Sequence, residues 1–283
     1  MRKFILLGIL IPSSVVVSAQ KWHLDLFGGF SNYQGDLQEK RFTTEQAKAA
    51  VSVGMRYDVS SRFSLRSNFS YATISAADRY NRQADLKARN LSFSSKITEL
   101  NLLLQYNLLN PDFHSIVPYA FGGIAVFHFN PYAFDSAGNK VYLQPLGTEG
   151  QGLAGYNRSP YHLTQFAIPF GGGVSWRLTE RVTLSYEIGI RKTFTDYLDD
   201  VSTTYVDQAS LLAARGAKAV EMAYRGAELK NGTPYPADGT IRGGPKRKDW
   251  YYFSGVTVSV GLGRLRGFHG TDNGRTDCPK PVN

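Results

Sequence analysis

The sequence is poor in cysteine and in charged residues, and each shortage excludes a class of protein. A single cysteine, Cys278, in 283 residues excludes the internal disulfide framework that stabilises many small secreted domains. Only 19% of the residues are charged and 42% are hydrophobic, which is typical of a folded chain and not of a disordered one. Mean hydropathy is -0.26, and no apolar run beyond the N-terminal segment is long enough for a spanning helix. A polytopic helical membrane protein is therefore excluded.

Aromatic residues and glycine are abundant instead. The chain has 17 Tyr, 17 Phe and 28 Gly, a composition that suits many strands joined by turns. The formal net charge of +9 is spread over the chain, so it does not indicate a nucleic-acid-binding protein. One basic run, Lys246-Arg247-Lys248, has two interpretations: a contact with lipopolysaccharide phosphates or an ordinary solvated charge run.

The N-terminal segment, residues 1–19, has the features of a signal peptide. Arg2 and Lys3 form a basic start, Phe4–Val17 is apolar, and Ala19 ends a small-residue cleavage site. A membrane-anchoring helix is the weaker interpretation because proline and serine interrupt the apolar run. The sequence therefore predicts an exported protein whose mature chain begins at Gln20.

The rest of the chain alternates between apolar and polar residues with a period of two, the period of a β-strand. In the clearest segment, Val182, Leu184 and Tyr186 share one face and Thr183 and Ser185 the other. The segments that alternate in this way are Trp22–Phe30, Lys48–Asp58, Phe63–Ala77, Thr98–Leu108, Val117–Asn130, Gln165–Leu178, Val182–Arg191 and Trp250–Leu262.

Two architectures fit such strands: a soluble barrel or sandwich with an apolar core, or an outer-membrane barrel with its apolar face toward lipid. The second is favoured because charged and small residues share the polar face, aromatic residues gather at strand ends, and long links alternate with short ones. We therefore predict an all-β, eight-stranded antiparallel transmembrane β-barrel of OmpA-like size in the bacterial outer membrane. It would span residues 20–262, with long extracellular loops, short periplasmic turns and a periplasmic tail at 263–283.

The predicted barrel interior is narrow, since eight strands leave only enough room for side chains. Charged side chains buried there must be paired. The sequence thus predicts an internal charge network formed by Arg56, Arg66, Glu99, Glu187 and Arg191.

The sequence predicts no catalytic, cofactor or metal site. Its histidines are scattered and have no neighbouring Cys ligand, so a zinc site is not expected. The acidic residues Asp196, Asp199 and Asp200 lack the spacing of a calcium loop, and a loop-folding role is expected. A lipid-modifying barrel enzyme would need a Ser or Tyr beside a His, and the candidates are His162 with Ser159 or Tyr161, and His128.

Two stretches resemble a known family. The first, Phe30–Leu37, contains Tyr33, Gly35, Asp36 and Leu37. The second, Thr195–Asp207, reads TDYLDDVSTTYVD, and its resembling residues are Asp196, Tyr197, Asp199, Asp200, Tyr205 and Asp207. Both are similar to the PorG family, outer-membrane barrels of the type IX secretion system of Bacteroidetes.

This resemblance implies a non-enzymatic accessory of protein export that associates with a periplasmic ring of the lipoprotein PorK and its partner PorN. The alternatives are an outer-membrane lipid-modifying enzyme and an OmpA-like structural barrel or adhesin. Because the implied partners are periplasmic, we expect the tail to contact them. The tail residues expected at this contact are Arg264, Arg266, Phe268 and Cys278, the last either as a free thiol or in an intermolecular disulfide.

Overall fold

The computed structural model describes residues 21–38 and 43–262, most of which lie in strands and the loops that join them. The predicted signal peptide and tail lie outside these residues. In chain order the strands are β1 (Trp22–Gln34), β2 (Lys48–Asp58), β3 (Phe63–Ala77), β4 (Ser92–Asn107), β5 (Ile116–His128), β6 (Pro131–Phe134), β7 (Lys140–Tyr142), β8 (Thr164–Arg177), β9 (Val182–Thr193) and β10 (Trp250–Gly261). The α-helices are α1 (Ala84–Arg89), α2 (Gln208–Arg215) and α3 (Ala217–Ala223).

Eight of these strands form a closed antiparallel barrel. The order around the ring is β3-β2-β1-β10-β9-β8-β5-β4, and β4 pairs with β3 to close it. First and last strands also pair, from His23 opposite Gly261 to Gln34 opposite Trp250. The short β6–β7 hairpin continues from the edge of β4 outside the ring. Closure pairs the backbone groups of every barrel strand on both sides, so the predicted eight-stranded antiparallel barrel is confirmed.

The outer wall of the barrel is apolar and the inner face is polar, as predicted. On β4, Leu100, Leu102 and Leu104 are 59%, 44% and 51% exposed. Their neighbours Glu99, Asn101 and Leu103 are buried inside. This distribution is the reverse of a soluble barrel, in which the exposed face would carry the polar side chains.

Aromatic side chains form a belt at each end of this apolar wall. Trp22 packs on Tyr57 with ring centroids 4.8 Å apart, and Phe63 packs on Tyr106 at 5.0 Å. On β8, Phe166 belongs to one belt and Trp176 to the other. Their ten-residue separation, at about 3.3 Å per residue and a tilt of about 40°, spans about 25 Å along the barrel axis. That height matches the apolar band of outer-membrane barrels.

One strand departs from the predicted orientation. The alternation of Val117–Asn130 was expected to place Tyr119, Phe121, Phe127 and Phe129 outward, but these side chains are buried inside. The interior of so narrow a barrel must be filled, and inward-facing glycines on the facing strands leave the space for the rings. A Cβ at Gly189 would lie 3.0 Å from the Phe121 ring.

The two ends of the barrel differ in the length of their links. The links 59–62, 108–115 and 178–181 lie at the end where β1 begins and β10 finishes. At the opposite end lie four long loops: the first (described residues 35–38 and 43–47), second (78–91), third (129–163) and fourth (194–249). Helices α2 and α3 both lie in the fourth loop. Among the described residues, no helix is both long and apolar enough for a membrane span.

The outward orientation of Leu102 gives a direct test of the lipid-facing wall. An arginine at this mid-strand position would place a charge in the apolar band, so L102R should lower the free energy of unfolding from a bilayer by about 2–4 kcal/mol. Leu212, on α2, is similarly exposed at 49% but lies outside the band. L212R is the matched control and should change that free energy little. Equal effects of the two substitutions on unfolding in lipid vesicles would contradict this assignment.

Candidate functional site: a filled barrel beneath a buried cap

The barrel interior is crossed by two charge pairs. The Arg66 guanidinium on β3 donates to both carboxylate oxygens of Glu187 on β9, at 2.9 and 3.2 Å. The Tyr119 hydroxyl on β5 donates to the same carboxylate at 2.8 Å. Asp25 on β1 lies 3.7 Å from Arg66. This first pair therefore connects four strands through the middle of the barrel.

The second pair joins Arg191 on β9 to Glu99 on β4, with Nε 3.1 Å from Oε2. Glu99 is fully buried and also accepts from the Tyr251 hydroxyl at 2.7 Å and from the Asn101 amide at 2.7 Å. Its lone pairs are thus satisfied from three directions, as a buried carboxylate requires.

Arg56, the fifth residue of the predicted network, lies apart from these two pairs. Its ion pair among the described residues is with Asp58, at 3.3 Å, near the short-turn end of the barrel. Asp58 also contacts His23 at 2.8 Å and accepts from Ser64 at 2.7 Å. The alternation identified Arg56 as inward but not its height in the barrel, which depends on the tilt of β2. Asp25 and the two tyrosine hydroxyls were missed, because their partners are distant in sequence.

An apolar layer separates the charge network from the long-loop end. Its fully buried side chains include Ile97, Phe127 and Phe129, and Phe127 packs on Tyr251 with centroids 5.3 Å apart. Beside the charge pairs, the interior retains a cavity of about 20 Å³, which is room for a single water molecule. In the described part of the chain, the barrel is a filled cylinder and not a channel for solutes.

The buried pair Arg191–Glu99 should resist disruption more strongly than an exposed one. R191M leaves the Glu99 carboxylate buried without its cation and should cost about 3–5 kcal/mol of unfolding free energy, whereas the double variant R191M/E99L should cost less than R191M alone. K218M is the control, since Lys218 pairs with Asp135 and Glu221 but its side chain is 43% exposed, and it should cost about 0–1 kcal/mol. The measurement is urea unfolding in vesicles, and an additive double variant would contradict the pairing.

The four long loops fold over the barrel mouth into a cap, and the two family-like stretches meet inside it. The Tyr33 hydroxyl, from the first stretch, donates to Asp199 of the second at 2.6 Å and to Asp249 at 3.0 Å. Asp249 in turn accepts from the backbone N–H of Leu198 at 2.9 Å. Gly35 packs so closely that a Cβ there would overlap the Tyr33 hydroxyl and the Asp249 carboxylate, so the position requires glycine.

Arg242 connects the third and fourth loops at the centre of the cap. Its guanidinium donates to Glu149 at 3.0 Å and to the Asp200 carbonyl at 2.6 Å. The Asp200 carboxylate accepts from Tyr161 at 2.7 Å and from Thr148 at 2.5 Å. Arg242 and its acidic partners are at most 3% exposed, so water does not screen the charge pair between Arg242 and Glu149.

A second arginine, Arg89, connects the first and second loops to Arg242. Arg89 donates to both carboxylate oxygens of Asp78, each at 2.7 Å, and to the Asp36 carbonyl at 3.2 Å. It also donates to the Arg242 carbonyl. Asp36 itself accepts from the Gly244 N–H at 2.9 Å. All four loops therefore share one network of hydrogen bonds.

The remaining residues of the two stretches have different surroundings. Leu37 is buried in the main apolar cluster, and Tyr197 stacks on Tyr161 with centroids 4.7 Å apart. Asp196 accepts from Ser202 at 2.7 Å, and Tyr205 packs edge-on against Tyr224. Asp207 lies outside the buried network, where it caps the N-terminus of α2 by accepting from Ser210 N–H at 2.8 Å.

Burial raises the pKa values of several carboxyl groups in the cap. It raises the pKa of Asp196 to about 6, and it raises that of Asp200 to about 6 although Arg242 opposes the shift. Burial, followed by repulsion from Asp36, holds the pKa of Asp199 well above its usual range. Asp249 has a raised pKa for the same first reason, with repulsion from Asp199 second. The folded cap therefore retains protons above about pH 4, where the same carboxyl groups in the unfolded loops would release them.

The enzyme candidates do not form a catalytic arrangement in the described part of the chain. The Tyr161 hydroxyl donates a hydrogen bond to Asp200, so it is not free to act with His162, which is exposed. His128 contacts Thr164 at 3.0 Å. Residues 21–38 and 43–262 also contain no cluster of three or more His, Cys, Asp or Glu side chains arranged to hold a metal ion. The predicted partner-contact residues Arg264, Arg266, Phe268 and Cys278 lie outside the described residues.

These features define the class of protein: an antiparallel barrel of eight strands with an apolar wall, a filled interior and a folded cap. The chain belongs to the family described as a domain of unknown function, DUF6089, whose model matches residues 2–213. The comparison with curated proteins found no match.

Solved structures of bacterial barrels are similar to this chain in fold. Neisserial surface protein A has 10% identity and a TM-score of 0.41 over 85% of this chain and 96% of that one. A major outer-membrane protein of Thermus thermophilus has 11% identity and a TM-score of 0.41 over 84% and 98%. OprG of Pseudomonas aeruginosa has 10% identity and a TM-score of 0.38 over 85% and 96%.

The raised carboxyl pKa values make the cap sensitive to pH. A group whose pKa is higher in the folded state stabilises that state below its unfolded pKa, and this contribution is lost as pH rises through the folded value. Cap stability should therefore fall from about pH 4 to beyond pH 6. Limited proteolysis of the fourth loop, normalised to an unstructured peptide at each pH, should be slower at pH 5 than at pH 8.

The variant D199N should flatten this pH dependence, because the amide has no proton to lose. D238N is the matched control, since Asp238 is an exposed residue of the same loop, and it should leave the dependence unchanged. Protection that is equal or greater at pH 8 would show that the buried carboxyl groups do not govern the cap.

Proposed function

We propose that this protein is a non-enzymatic component of the type IX secretion system that lies in the outer membrane and connects the periplasmic PorK/PorN ring to it. The observation that carries the proposal is the hydrogen bond of 2.6 Å between Tyr33 and Asp199. It joins the two stretches that resemble the PorG family, although 166 positions separate them in the chain. The resemblance thus involves one folded unit and not two unrelated short motifs.

Placement in the outer membrane is supported by the wall of the barrel. The apolar band of about 25 Å between two aromatic belts fits the hydrocarbon thickness of that membrane. The four long loops then face the cell exterior. The short turns, the start of β1 and the end of β10 face the periplasm, as in bacterial barrels with an even number of strands.

The filled interior supports a connecting role over a conducting one. Two buried charge pairs and an apolar layer occupy the barrel, so a secreted protein would have to cross the membrane through another component. The contribution of this chain would be to hold a periplasmic assembly against the membrane.

The short-turn end offers a surface for such an assembly. It exposes three arginines: Arg62 and Arg181 in its turns, and Arg177 at the end of β8. The same end exposes Phe113, which is 81% exposed in a turn where Asn110 accepts from the Asp112 N–H at 2.9 Å. Exposed basic groups and an exposed aromatic side chain at one end of the barrel suit an acidic partner surface with an apolar pocket.

Truncation of the tail tests the proposed connection. Ending the chain after Arg264 leaves β10 intact, so the barrel should still assemble in the outer membrane as a heat-modifiable band. The truncated protein should recover less PorK in a pull-down from crosslinked cells than the full chain does, because it lacks Phe268 and Cys278. C278S, tested alone, separates a disulfide from a surface contact: only a disulfide gives a crosslinked band that reductant removes.

Gene deletion distinguishes the classes of function. Loss of secreted cargo with unchanged lipid A supports the secretion role. Altered lipid A with normal secretion would support a lipid-modifying enzyme instead. If neither changes, the protein is a structural barrel or adhesin and the proposal is wrong. Normal recovery of PorK by the truncated chain would exclude the tail and leave the turns as the connecting surface.

A further inference from the structure

A cleft of about 430 Å³ opens on the outer wall of the barrel near the long-loop end. Its floor is formed by outward-facing residues of β1 and β10, Phe30 and Tyr252 among them, and its rim by the first loop. The described part of that rim includes Thr43, Thr44, Glu45 and Ala47. Its volume is that of a small-molecule site.

The cleft contains a buried polar group without a partner. Asn32 is 8% exposed, and its Oδ1 accepts no hydrogen bond among the described residues. An acceptor left unpaired in this way costs about 1–3 kcal/mol. A ligand that supplies an N–H or O–H donor would remove that cost. Thr43, Thr44 and Glu45 add further hydrogen-bonding oxygens at the rim.

The position of the cleft limits what can enter it. Phe30 is 64% exposed and belongs to the aromatic belt at the long-loop end of the apolar wall. The floor of the cleft therefore continues the lipid-facing surface, while its rim belongs to a loop beyond that surface. An occupant must combine an apolar chain with a head group rich in N–H and O–H donors.

We propose that this cleft binds one outer-leaflet glycolipid of the lipid A type, with an acyl chain along Phe30 and the amide and hydroxyl groups of its glucosamine head at Asn32 and the loop rim. Lipid A fits better than a phospholipid because it carries several such donors on a rigid sugar. The inference rests on the proposed placement in the outer membrane, but not on the role in secretion.

The experiment uses full-length protein in nanodiscs that contain equal amounts of lipopolysaccharide and phosphatidylethanolamine, with bound lipid measured by native mass spectrometry. The intact protein should retain lipopolysaccharide. A47W fills the cleft and should lower that retention about tenfold, which corresponds to about 1.4 kcal/mol. The matched control is A120W, because Ala120 is an exposed alanine on the outer face of β5 near the opposite end, and it should retain lipopolysaccharide normally.

N32A provides a second test that does not depend on folding of the tryptophan variant. It removes the unpaired acceptor, so it should lower lipopolysaccharide retention without lowering the stability of the lipid-free protein. Retention unchanged in N32A and A47W, equal retention of phosphatidylethanolamine, or no retained lipid would each overturn the inference. In those cases a heat-modifiable barrel in the membrane fraction would leave the proposed placement intact, whereas recovery as a soluble protein would refute the placement itself.

Discussion

The small diameter of an eight-stranded barrel is the constraint on which the rest of this structure depends. Closure satisfies the backbone of each barrel strand, but it also encloses every inward side chain in a space that must be filled. Ions enclosed there lose their hydration, so each needs a partner on a facing strand. Arg66 with Glu187 and Arg191 with Glu99 meet this need. The inward glycines leave space for these ion pairs, since a Cβ at Gly189 would lie 2.6 Å from the Arg191 guanidinium.

The same requirement extends beyond the barrel into the cap. Long loops carry many backbone polar groups, which must be paired once they are buried. Here Glu149 accepts from the backbone N–H groups of Ser202 and Thr203, at 2.9 Å and 3.0 Å, as well as from Arg242. Asp78 plays the equivalent part for the N–H of Leu91, at 2.9 Å, and for Arg89. These acidic residues therefore organise the loops. Burial in the same cap is the first cause of the raised pKa values of Asp199, Asp200 and Asp249.

The architecture and most of the outward face could be predicted from the sequence because both follow from a two-residue period that the strands carry locally. The exception is β5, whose aromatic side chains fill the interior. Interior pairing could not be predicted in the same way. It depends on strand tilt and register, which decide that Arg56 meets Asp58 while Arg66 reaches across the barrel to Glu187. The hydrogen-bond network of the cap could be predicted even less from the sequence. Arg242 and Glu149 lie in loops with no periodicity, and 93 positions separate them, so no local pattern links the two.

The position of the family-like stretches bears on how far the resemblance extends. Tyr33, Asp199 and their neighbours pack at the long-loop end, whereas the proposed partners would contact the short turns and the tail at the opposite end. The contacts of the shared residues therefore lie within the cap. Recognition of a periplasmic ring would have to reside in Arg62, Phe113 and the segment after Gly261, which are independent of the motif. The motif and the proposed partner surface therefore lie at opposite ends of the barrel, and either one can change in sequence without altering the other.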